Sequence, residues 1–182
     1  MNNTLIDNSI EALSMTATLR KCLAIDGIKT VSIATGYWDI PGLAILQENL
    51  RSFIEKDGTT LRLLIGKDPY IYANQLKSPK YKDANYPLDF IKTDIHELNV
   101  TEEYKDAIRL LLDYCTENND SKIQIRVFRK NENDETQFLH SKCYIFDGKS
   151  NGIGIGIVGS TNFTQKGLQG NAELNYIETA PN

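Results

Sequence analysis

One succession, strand–helix–strand between residues 30 and 66, constrains the fold more than anything else in the chain. Thr30–Gly36 (TVSIATG) alternates β-branched and small residues and reads as a buried strand. Asp39 suits the cap of a following helix and Pro41 its first turn. Leu43, Leu46, Leu50, Phe53 and Ile54 then make one apolar helical face, and Gly58 closes it. Thr60–Gly66 (TLRLLIG) is a second strand. Two strands joined through a helix imply a right-handed parallel crossover, and so an α/β fold.

The rest of the chain is compatible with a single domain over 1–182. Its 182 residues are 41% hydrophobic and 24% charged, enough for one core. A net charge of −4 argues against attraction to nucleic acid by bulk charge, so any polyanion site has to be a local cluster. The three cysteines, Cys22, Cys115 and Cys143, are far apart in apolar patterns and read as reduced core residues of a cytoplasmic protein. No basic-then-apolar leader and no apolar run of membrane-spanning length is present, so no stable membrane association is expected.

Residues 8–24 carry Ile10, Leu13, Ala17, Cys22 and Leu23 at loosely helical spacing, with Asp26 and Gly27 ending the segment. From Lys67 to Pro87 regular patterning stops. Lys77, Lys80 and Lys82 are interleaved there with Tyr70, Tyr72, Tyr81 and Tyr86. That mixture suits either a solvated loop or a surface that grips a nucleic-acid backbone and stacks on bases. Leu88, Ile91, Ile95 and Leu98 suggest a short helix carrying His96, which reads as a surface histidine. A further helix starts at Asn99, with Glu102 and Glu103 in its first turn and Ala107, Ile108, Leu111, Leu112 and Cys115 as its buried stripe. Asn118, Asn119 and Asp120 end it. Lys122–Phe128 alternates as a strand, with Arg126 near its end as a further cation for substrate. Gln137–Phe146 returns as another strand, and a hairpin across the acidic NENDE turn is the natural expectation.

That last strand carries the chemistry. His140 and Lys142 are two apart, a spacing that puts both on one face of a strand. Asp147 has odd parity to Lys142 and is expected to anchor the turn. Ser160 and Asn162 repeat the two-residue spacing at the end of the next apolar run, and Glu173 follows in NAEL. If the strands pair, an imidazole, an ammonium, a hydroxyl and a carboxamide converge on a patch the size of a phosphate. Two lookalikes are set aside. Gly154–Gly159 fits G-x-G-x-x-G by letter, but its glycines alternate with isoleucines, which reads as a strand and not as a turn opening a helix. Glu103-x-Lys105 lies on a helix with no strand acid beside it.

The pattern H-x-K-x4-D followed by G-S-x-N resembles the HKD signature of the phospholipase D superfamily. Eleven residues separate Asp147 from Gly159, more than that pattern usually has, and the surplus GKSNGIG reads as a longer hairpin turn. The resemblance implies a mixed β-sheet flanked by helices on both faces. It also implies phosphodiester chemistry with no cofactor and no metal. His140 is then the nucleophile that forms a phosphohistidine. Lys142 and Asn162 bind the phosphoryl oxygens, Ser160 holds the site together, and Glu173 accepts the other imidazole N–H. Such a mechanism needs two histidines and one motif supplies one, so a homodimer with a shared site is expected. The stretch NFTQKGLQGNAELN is similar to phospholipase-D-like domains found ahead of helicase modules. The expected activity is therefore a DNA endonuclease, in a domain excised from a longer DNA-processing protein that also carries helicase or ATPase domains. The rival readings are a non-catalytic module that grips DNA phosphates for such an ATPase, and a phospholipid-cleaving enzyme.

Overall fold

In a computed structural model, residues 4–66, 102–115, 121–128, 139–149 and 152–180 are described. Seven strands form one mixed sheet: β1 (Thr4–Ile6), β2 (Thr30–Thr35), β3 (Thr60–Ile65), β4 (Ile123–Val127), β5 (Lys142–Asp147), β6 (Gly154–Gly159) and β7 (Asn175–Thr179). Their order across the sheet is β1-β7-β6-β5-β2-β3-β4. The β2–β3 and β3–β4 pairs are parallel, and β5 meets β2 antiparallel. Among the described residues the α-helices are α1 (Met15–Ala24), α2 (Ile40–Ile54) and α3 (Glu102–Tyr114), with a π-helical turn at Lys166–Gly170.

The core lies on the helix-covered face. Val31, Ile33, Leu61, Leu63, Tyr144 and Ile157 bury alternate strand positions there, against Leu43, Leu46, Leu50 and Phe53 of α2. Each such side chain contributes about 1.5–3 kcal/mol by leaving water. Leu64, Ile145, Val158 and Tyr176 have the opposite parity and are exposed. Among the described residues, α1, α2 and α3 all lie on the core side.

The parallel crossover is present as read. Asp39 caps α2, its Oδ1 accepting from Gly42 N–H at 2.6 Å, and Pro41 sits in the first turn. Gly58 ends the segment with φ +70°, a conformation suited to glycine.

Four expectations are corrected. The first helix begins at Met15 and not at residue 8. Asn8 has positive φ, Glu11–Leu13 form a 3-10 turn, and the Ser14 hydroxyl caps α1 by accepting from Ala17 N–H. Leu112 is 69% exposed; the buried stripe of α3 is Ala107, Leu110 and Leu111, because a period of 3.6 carries residue 112 round to solvent. β4 and β5 do not form a hairpin. β4 is an edge strand parallel to β3, while β5 inserts between β2 and β6. Finally, β5 starts at Lys142, so His140 lies just ahead of the strand and not within it. The segment 67–101, with Lys77, Lys80, Lys82 and His96, lies outside the described residues, as does the acidic turn.

Candidate active site

Strand direction gathers the site. The parallel strands β2 and β3 end at Thr35 and Ile65. Because β5 runs against β2, it begins at that same end of the sheet, with Lys142 paired to Thr35. β6 runs back and finishes there at Gly159, and β7 sets out from there at Asn175. The residues just outside these strand ends therefore meet: 139–141 before β5, 160–162 after β6, and 173–174 before β7. This is the end of an α/β sheet where ligands are usually bound.

His140 is exposed and Lys142 is buried. The Lys142 ammonium turns back and donates to the His140 carbonyl oxygen at 2.9 Å. Burial lowers its pKa from the ordinary lysine value, and the nearby Glu173 carboxylate opposes that shift.

Asn162 is fixed by its oxygen. Tyr37 N–H donates to Asn162 Oδ1 at 3.1 Å, and a backbone N–H can only face the oxygen branch. The amide NH₂ is thereby assigned to the opposite branch. Thr35, fully buried, ties the surrounding loops together. Its hydroxyl donates to the Tyr37 carbonyl at 2.7 Å and accepts from Phe163 N–H at 3.0 Å. Asp39 adds a second tie, its Oδ1 accepting from Gln165 N–H at 3.0 Å as well as capping α2.

The Ser160 hydroxyl donates to a Glu173 carboxylate oxygen and accepts from Leu174 N–H at 3.0 Å. The other Glu173 oxygen accepts from the Asn171 side chain at 3.1 Å. Behind them, buried Asn175 accepts from Thr161 N–H at 3.2 Å and donates to the Thr161 hydroxyl at 2.7 Å. The loop bearing Ser160 and Asn162 is thus held from both β2 and β7.

Two glycines that sequence reading took as mere strand ends set the spacing. A Cβ on Gly36 would lie 3.1 Å from the Leu139 carbonyl, 3.4 Å from Asn162 Oδ1 and 3.5 Å from His140 Cα. His140 and Asn162 therefore meet over a bare backbone. A Cβ on Gly66 would lie 2.4 Å from the Gly36 carbonyl and 2.7 Å from that of Leu139. The available signal was positional: TVSIATG and TLRLLIG each end in glycine, in matching register. Gly159 serves in the same way, since a Cβ there would sit 2.3 Å from the Leu174 carbonyl.

His140, Lys142, Asn162, Ser160 and Glu173 are thus brought to one end of the sheet. Asp147 lies at the other end, where its Oδ1 accepts from Lys149 N–H at 2.7 Å in the β5–β6 turn. Arg126 is on β4, on the face away from the core, outside this cluster. Among the described residues no group of three His, Cys, Asp or Glu side chains could hold a metal ion, and no helix is long and apolar enough to cross a membrane.

A mixed sheet with an H-x-K pair and a G-S-x-N loop meeting at one strand end defines an α/β protein of the phospholipase-D-like type. The chain belongs to the family described as "Cardiolipin synthase, PLD-like domain", whose model matches residues 24–182. Among solved structures it is similar to NucT from Helicobacter pylori, with 12% identity, a TM-score of 0.52, and coverage of 98% of this chain and 85% of that one. The yeast tyrosyl-DNA phosphodiesterase also matches, at 10% identity and a TM-score of 0.46, with 99% of this chain and 32% of that one covered. A polyphosphate kinase from Porphyromonas gingivalis matches at 11% identity and 0.47, covering 100% and 23%. No curated protein sequence matches the chain.

Proposed function

We propose that this chain is a metal-independent phosphodiesterase, a DNA endonuclease acting through a phosphohistidine on His140, with its site shared across a homodimer. The observation that carries the reading is the orientation of Asn162. With its oxygen committed to Tyr37 N–H, its NH₂ is the branch left to face an anion beside His140 and Lys142.

In the proposed reaction an imidazole nitrogen of His140 attacks phosphorus as the P–O bond to the leaving group breaks. The second subunit's copy of the same histidine protonates the departing oxygen. That histidine then takes a proton from water, which attacks the phosphohistidine, breaks the P–N bond and frees the imidazole. Lys142 has three N–H donors and spends one on the His140 carbonyl. The others, with the Asn162 amide, serve the non-bridging oxygens as their charge grows. Ser160 holds Glu173 in place, and Glu173 is assigned to the imidazole N–H that does not attack. DNA is preferred as substrate because residues 162–175 resemble helicase-linked members of the family.

The test is cleavage of labelled DNA in EDTA, with acid-quenched protein examined by mass spectrometry for a phosphate adduct on His140. Cleavage that survives chelation and disappears in His140→Ala supports the reading. DNA bound but never cut would assign the chain to a non-catalytic module. Hydrolysis of phospholipid vesicles with no action on DNA would move the substrate to lipid.

A further inference from the structure

The face of the sheet away from the core has no part in the chemistry above, yet it is patterned. One rung crosses it through cross-strand partners: Tyr176, Val158, Cys143, Ala34, Leu64 and Arg126. The neighbouring rung, one pleat further from the site, includes Ile145, Ser32 and Arg62. Between β5 and β4 these residues line a groove of about 490 Å³. Its floor is apolar, with Leu64 37% and Ile145 47% exposed.

The two arginines stand at its far side. Arg62 is paired to Gln124, and Arg126 lies two residues further along β4. Strand spacing and rise put their Cα atoms about 8 Å apart. Both side chains are exposed, and among the described residues neither is held by a carboxylate or a hydrogen bond. Among the described residues, the carboxylates on the same face are Asp147 and Glu178, on β5 and β7, away from β3 and β4. Although the protein is acidic overall, the described residues of this corner are cationic.

The rung ending in Arg126 directly adjoins the one that carries Lys142 and Gly159 on the opposite face. A strand leaving the site over the sheet's end would meet Cys143 and Ala34 first. It would reach Arg126 and Arg62 next.

We infer that this open face is a second binding surface, on which a single-stranded nucleic acid lies with phosphates on Arg62 and Arg126 and bases against the apolar floor. The inference rests on the nuclease reading above and names how its substrate is held beyond the cleaved bond. Exposed sheet faces suit this task, because bases stack on a flat surface while cations track the backbone. Charge complementarity selects the occupant: two guanidiniums at this spacing match successive phosphates.

The test is fluorescence anisotropy with a labelled single-stranded oligonucleotide over a range of NaCl, in a His140→Ala background that prevents cleavage. Each phosphate contact on a single strand contributes about 0.7 to the slope of log affinity against log salt. Arg62→Ala with Arg126→Ala is expected to flatten the slope by about 1.4, and the double Lys variant, which keeps both charges, to restore it. An unchanged slope in the double Ala variant, with tight binding retained, would overturn this surface and leave the nuclease reading intact. Absence of oligonucleotide binding by the parent protein would instead overturn the substrate assignment itself. A polyglutamate peptide that binds through the same two arginines, with no change in the oligonucleotide slope, would overturn the inference and assign the face to an acidic peptide.

Discussion

At the residue scale, each polar group around the pocket holds another in place, and the consequences of removal differ. Asn162→Ala deletes both the oxygen that receives Tyr37 N–H and the amide proposed to stabilise the phosphoryl group. Steady-state kinetics are expected to show a loss of about 10²–10³-fold in kcat, the usual worth of one such donor. Asn162→Asp keeps the acceptor and removes the donor, so it should match the alanine variant in rate but not in Tm. Lys142 supplies a pH signature. Its folded-state pKa is depressed by burial, so the folded chain binds fewer protons than the unfolded chain between that value and the ordinary lysine pKa. Stability from this group therefore rises as pH rises through that window, because the cost of burying the charge is relieved. Activity moves the other way, since the ammonium is the working form. Denaturant melts of wild type and Lys142→Met should converge as pH rises, while the wild-type rate falls on an alkaline limb below the ordinary lysine range. An alkaline loss of rate with the stability difference unchanged across the same window would contradict the assignment.

At the element scale, strand ends govern the site through close approach. Gly66→Ala would drive a methyl into the Gly36 and Leu139 carbonyls, both of them backbone. A cost of about 1–3 kcal/mol is expected from thermal melts, with a further loss of rate as the His140 loop moves. Gly156, in the middle of β6, has nothing within 4 Å of a Cβ position. Gly156→Ala should stabilise the fold by about 0.5–1 kcal/mol and leave the pocket alone. The sequence made one of these roles legible and hid the other. Local patterning was enough for β2, α2 and β3, because the apolar period, the Asp39 cap and the glycine stop all agree. The H-x-K and G-S-x-N spacings were readable because each pair sits at a strand end. The strand partners were not. β4 and β5 are close in sequence and alternate well, which invited a hairpin, but β5 finds better apolar partners in β2 and β6. Nor does an alternating strand show where it starts: the alternation running through His140 breaks at Lys142, where pairing begins. Crowding at Gly36 and Gly66 could not be seen at all, since it comes from segments distant in the chain: the Leu139 carbonyl for both, and the Gly36 carbonyl for Gly66.

At the scale of the whole molecule, one motif per chain makes the proposed activity a property of pairs. Light scattering should give a dimer. Co-expression of wild type with equal His140→Ala should leave about a quarter of the activity and not half, because a mixed dimer lacks one of its two histidines. Half would mean that each chain works alone. The order in which the sheet can be completed has a consequence of its own. β1 pairs with β7, and the Ser160–Asn162 loop is braced by Glu173 and Asn175. A nascent chain halted before residue 173 leaves its opening strand without a neighbour and its serine without a carboxylate. On the proposed reading, competence arrives only when synthesis has passed the seventh strand.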